Sequence, residues 1–152
     1  MQKLNFPEYE FNIKEGQDYH RIFDPARRKY VALTPEEWVR QHMIQYLVTE
    51  KKVPLSLLVV EAGLKLFKTR KRTDLVVYGR LGKPLMIVEC KAPDVKISEE
   101  VFDQIVRYNF SLRVPYLTVT NGLVHICCYL PPLLNHYKVL NQIPDFDDMH
   151  PR

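Results

Sequence analysis

No stretch of this sequence sustains an apolar run near the roughly 18 residues that a membrane-spanning helix needs. The N-terminus also lacks the basic, apolar and small-residue order of a secretory signal. A soluble, cytoplasmic protein without membrane contact is the expectation. Cysteine is scarce. Cys90, Cys127 and Cys128 are an odd number and none stands in CxxC spacing, which argues against a structural zinc site and predicts buried, reduced thiols. The five histidines are scattered and form no HExxH pair, so helix-borne zinc hydrolysis has no support and any metal ligands are expected to be carboxylates. Internal repeats, low-complexity tracts and linkers are missing too. What remains is a chain of 152 residues, 46% hydrophobic and 26% charged, which suits one globular domain.

The charge balance is mildly basic. Lys and Arg number 22 against 18 Asp and Glu, giving a formal +4, which by itself says little about partners. Its distribution says more, because Lys65, Lys68, Arg70, Lys71 and Arg72 crowd the approach to Asp74. Arg70, Lys71 and Arg72 are the candidate phosphate contacts of that cluster, against the plainer alternative of a solvated charged face.

Residues 1–31 mix aromatics with charges as an N-terminal extension, and only Tyr9, Phe11 and Ile13 alternate as a short strand would. Thr34, Pro35 and Glu37 read as a helix start with an N-cap, proline at the first position and a capping-box carboxylate. The helix is expected to run to about Glu50, with Val39, Met43, Tyr46 and Leu47 along its apolar face. Residues 57–67 suit a strand, or a bent pair around Gly63. The runs 75–78 and 85–90 predict a hairpin across 79–83. Ser98 can cap a second helix to about Leu112, and runs at 116–120 and 123–129 flank Asn121-Gly122 as a tight hairpin turn. The segment 131–152 is polar and proline-containing, and is expected to pack loosely or fray.

The first hairpin carries the chemistry. A turn centred between Leu81 and Gly82 sets Leu75 opposite Val88 and Asp74 opposite Glu89. Directly paired positions lie about 5 Å apart, close enough for two carboxylates to grip one divalent cation. Hard oxygen ligands of this kind suit Mg²⁺, with Mn²⁺ as a substitute. Lys91 follows Glu89 by two residues and shares its face by strand alternation. There it can orient or deprotonate an attacking water and offset charge developing on a phosphate. The backbone carbonyl of Cys90 lies between the two and is a further candidate ligand. An ExK triplet alone is more often a solvated strand edge. Here Ile87 and Val88 mark a buried strand, where charged neighbours cost free energy unless paired or ligating.

Asp74 followed fifteen positions later by Glu89-Cys90-Lys91 resembles the PD-(D/E)xK nuclease superfamily, with Thr73 where the motif name has proline. Gln104 and Tyr108, at i and i+4 on the following helix, resemble the QxxxY pattern of its RecB-like branch. Arg72-Thr73-Asp74, the run 88–93, Gln104 to Tyr108 and Thr120-Asn121-Gly122 together resemble the N-terminal nuclease domain of type I restriction enzyme R subunits, over roughly 34–129. The resemblance implies an α/β, restriction-endonuclease-like fold with a mixed central sheet flanked by helices. It implies a Mg²⁺-dependent endodeoxyribonuclease with Asp74 and Glu89 on the metal, and Gln104 and Tyr108 placing the substrate or the lysine. It also puts Glu37 at the position of a helix glutamate that assists the metal, beside its capping-box reading. DNA is the implied partner, with other restriction subunits or a second copy of the chain as further ones. The absence of a helicase motor predicts a stand-alone or partner-dependent relative. The rival expectations are a non-catalytic DNA-binding or assembly module, and an interaction protein whose hairpin charges form an internal salt bridge.

Overall fold

The computed structural model describes residues 1–60 and 75–151. Strands β1 (Ile13–Lys14), β2 (Arg21–Asp24) and β3 (Lys29–Ala32) form a small antiparallel sheet. Helix α1 (Pro35–Thr49) follows, then β4 (Leu58–Val60), β5 (Leu75–Tyr78) and β6 (Pro84–Cys90). Helix α2 (Glu99–Asn109) connects β6 to β7 (Tyr116–Thr120), and β8 (His125–Tyr129) and β9 (Lys138–Val139) complete a second sheet. That sheet runs in the order β4-β5-β6-β7-β8-β9, with β6 and β7 parallel and every other neighbouring pair antiparallel.

Strand alternation divides the core in two. Leu75, Val77, Met86 and Val88 pack with Val39, Met43, Ile44 and Leu47 of α1. Val76 and Ile87 point the other way and pack with Phe102, Ile105 and Val106 of α2. One helix therefore covers each face of a mixed sheet, as the restriction-endonuclease-like expectation required. The central strands are apolar on both faces because both are covered. Among the described residues no helix is long and apolar enough to cross a membrane.

Both helices begin where the sequence places them. Thr34 Oγ1 accepts from the Glu37 amide at 3.0 Å, and Ser98 Oγ accepts from the Val101 amide at 3.2 Å. Pro84 opens β6, a position where its missing N–H costs the ladder least.

Four expectations need correction. The N-terminal 32 residues carry three strands, of which the alternation at Tyr9, Phe11 and Ile13 touched only Ile13, the first residue of β1. Tyr9 and Phe11 instead pack against the ring of His42, at centroid distances of 6.1 and 4.8 Å. The strand expected over 57–67 starts at Leu58, after a 3-10 turn through 55–57, and the part beyond Val60 lies outside the described residues. The Asn121-Gly122 turn is a four-residue loop, so β8 starts at His125 rather than Leu123. Asn121 Oδ1 accepts from the amides of Leu123 and Val124, both at 2.9 Å, and this wider Asx-stabilised turn replaces the two-residue one. Lastly, the C-terminal segment is part of the core. Ile143, Phe146 and Met149 are buried with α1 and β6, and the Phe146 amide donates to the Lys51 carbonyl at 2.8 Å. Spaced apolar residues within a polar stretch found a groove to fill, which composition alone does not reveal.

Candidate functional site

The hairpin holds the expected register. Leu75 faces Val88, Val76 faces Ile87 and Val77 faces Met86, before a bulge near Tyr78 absorbs the turn. Asp74, the expected partner of Glu89, lies outside the described residues, as do Arg70, Lys71 and Arg72. Glu89 is the penultimate residue of β6, only 6% exposed, beside Val119 of the parallel strand β7. Alternation puts its side chain on the face of Ile87, which is the α2 side, while Cys90 packs in the α1-side cluster. The ladder continues past the strand, since the Lys91 amide donates to the Thr120 carbonyl at 2.8 Å. Lys91 therefore keeps the alternation and shares the face of Glu89, half-buried.

Helix α2 covers that same face. It buries Phe102, Ile105, Val106 and Asn109, and leaves Gln104 and Tyr108 together on its exposed side. Tyr108 is 44% exposed and is not a core residue. Because α2 runs from the end of β6 back to the start of β7, Gln104 stands nearer than Tyr108 to the sheet end that carries Glu89. The intervening segment is pinned there. Asn121 Nδ2 donates to the Val95 carbonyl at 2.9 Å, tying the chain just after Lys91 to the β7–β8 loop.

The first turn of α1 reaches this sheet end from the opposite side. Gly122, just past β7, has φ +87°, and a Cβ there would come within 3.0 Å of Val39 Cγ2. One half-turn earlier stands Glu37, buried in a network that sequence reading did not find. Its Oε1 accepts from Arg27 Nη2 and Arg40 Nη1, each at 2.7 Å, and its Oε2 from Gln41 Nε2 at 3.0 Å. The return half of a capping box is not formed, since the Thr34 amide donates to Ala32 instead. Arg27 is held in turn by the wholly buried Asp24. Asp24 Oδ2 accepts from Arg27 Nε, and Oδ1 accepts from the amides of Ala26 at 2.7 Å and Arg27 at 3.1 Å. Burial opposes the Arg27 charge, yet the hydrogen bonds to Asp24 and Glu37 outweigh it and raise its pKa above the ordinary value. The helical spacing of Glu37 to Arg40 and Gln41 was a legible signal. The link from Arg27 to Glu37 joins separate elements and was not.

The donor set suits a hard divalent cation better than a soft one. A buried carboxylate closes an otherwise apolar strand at Glu89, and a backbone carbonyl follows it. The thiols of Cys127 and Cys128 do not compete. Burial pushes Cys127 up to about 11 and Cys128 up to about 12, so neither offers a thiolate at neutral pH. Among the described residues no three His, Cys, Asp or Glu side chains form a metal-sized group, and Asp74 is outside that set.

Residues 35–144 match the family described as type I restriction enzyme R protein N terminus. No curated protein and no solved structure matches the chain.

Proposed function

The chain belongs to the type I restriction enzyme R protein N-terminal family, and from that premise we propose that it is a metal-dependent nuclease hydrolysing DNA phosphodiester bonds. The observation that carries the reading is Glu89, a buried acid at the end of a covered strand, with Lys91 two residues on and facing the same way. A solvated strand edge, the ordinary fate of an ExK triplet, would leave that glutamate in water.

In this reading Asp74, Glu89 and the Cys90 carbonyl hold Mg²⁺ or Mn²⁺, which when bound supplies Lewis acidity and a more acidic water. Lys91 orients the attacking water, takes up or releases its proton, and offsets the charge that grows on the phosphate oxygens. Gln104 places the substrate or Lys91, and Tyr108 borders the approach from the same helix face. Arg70, Lys71 and Arg72 contact phosphates on the way in. Glu37 enters as the anchor of α1 at this sheet end, because both of its oxygens already serve Arg27, Arg40 and Gln41. DNA is the substrate, and other restriction subunits or a second copy of the chain are partners consistent with the family.

The test is incubation of wild type, Asp74→Ala and Lys91→Ala with supercoiled and linear DNA at low salt in Mg²⁺, Mn²⁺ or EDTA. Metal-dependent nicking by wild type, lost in both variants, is the expected result. Lys91→Ala should still gain thermal stability from added Mg²⁺, because the carboxylates remain. DNA binding without cleavage by wild type would sink the nuclease reading and leave a binding or assembly module.

A further inference from the structure

We infer that the outer face of the β1–β3 sheet is a binding surface for single-stranded DNA, beside the end of the main sheet that carries Glu89. This sheet lies before the segment matched by the family, and its inner face packs inward through Ile22 and Asp24, both wholly buried. The register sets Lys14 beside Arg21, and Phe23 beside Tyr30, all four on the outer face. The result is aromatic rings interleaved with cations. The Phe23 and Tyr30 rings meet edge to face at 5.3 Å, and Lys14 Nζ stands 4.1 Å over the Tyr30 ring. Arg21 lies 5.4 Å from the ring of the half-exposed Tyr19 and donates to its hydroxyl at 3.1 Å.

Charge and shape favour this occupant. Arg28 is exposed at the β2–β3 turn and makes no ion pair among the described residues, so three exposed cations, Lys14, Arg21 and Arg28, border the outer face, while Lys29, paired with Asp24 across the ladder, falls on the other side. Its exposed acids, Glu15 and Asp18, lie in the loop that joins β1 to β2, and Asp24 is neutralised by Arg27. A backbone of phosphates complements the cations, and unpaired bases can stack on the rings, whereas a duplex hides its base faces. The Asp24–Arg27–Glu37 chain fixes the sheet against the first turn of α1. Its purpose as a substrate track rests on the nuclease reading, while the binding surface stands without it.

The measurement is fluorescence anisotropy of a labelled oligothymidine and of a duplex of mixed sequence, in EDTA so that no cleavage intrudes. Lys14→Ala with Arg21→Ala should weaken oligothymidine binding about tenfold and lower its salt slope by about one. Tyr30→Leu should weaken it by a similar factor with the salt slope unchanged. Both cations are exposed, so the double variant keeps the wild-type melting temperature and remains informative even if Tyr30→Leu folds poorly. A double-variant affinity within about twofold of wild type overturns the proposal. So does a duplex bound as tightly as oligothymidine. Cleavage in Mg²⁺, measured separately, divides the two readings. Lost binding in the double variant with no cleavage by wild type keeps the surface and removes the nuclease. Unchanged binding with cleavage that depends on Lys91 does the reverse.

Discussion

Arg27 Nη2 lies 2.7 Å from Glu37 Oε1, and through that contact the small N-terminal sheet is fastened to the first turn of α1. Both side chains are largely withdrawn from water, so the pair is worth less for its own attraction than for the cost of breaking it. Glu37→Ala takes a buried carboxylate from both Arg27 and Arg40, leaving them to Asp24 and to Glu36, and should lower stability by about 3 kcal/mol. Urea unfolding in EDTA checks this. Stability unchanged in EDTA but lost in Mg²⁺ would instead make Glu37 a metal ligand.

Gly122 is a second joint at the same end. Its φ of +87° suits glycine, and an added Cβ would come within 2.9 Å of Leu4 Cδ2. Gly122→Ala should therefore cost about 2–3 kcal/mol from backbone strain and overpacking together. Thermal denaturation reads the loss, and an unchanged melting temperature would show that Leu4 and the N-terminal arm move aside freely.

Phe146 is 1% exposed and packs in the core shared by α1 and β6. Phe146→Ala should destabilise the fold by about 3–5 kcal/mol, as an aromatic cavity in a well-packed core does. Removing the chain from residue 143 onward should do more. If the truncated chain melts like the intact one, the tail is peripheral after all.

Acid should loosen the N-terminal arm. Burial lowers the pKa of both His42 and His125, partly offset by their hydrogen bonds to the carbonyls of Trp38 and Asn5, and Phe6 stacks against both rings. A histidine whose folded pKa is depressed binds its proton more readily when unfolded, so its contribution is complete above the unfolded value of about 6.5 and is lost as pH falls through the folded one. The melting temperature should drop from about pH 7 to about pH 5, and His125→Gln should flatten that slope. A slope equal to wild type in His125→Gln would locate the acid sensitivity elsewhere.

The sequence by itself determined the hairpin register, both helix starts and the placement of Glu89 with Lys91 on one strand face. These are local matters. A period of two assigns the faces, a threonine or serine before the first turn caps a helix, and one turn centre sets every pair on a hairpin. Tertiary structure decided the rest. Asp24, Arg27 and Glu37 meet although they belong to a strand, a turn and a helix with no shared period, and Phe146 is buried because a groove beside α1 required an aromatic. Gln104 and Tyr108 fell to the exposed face of α2 because Phe102, Ile105 and Val106 bury more apolar area against the sheet. The choice among helix faces is made by what the helix packs on, which no window of sequence contains.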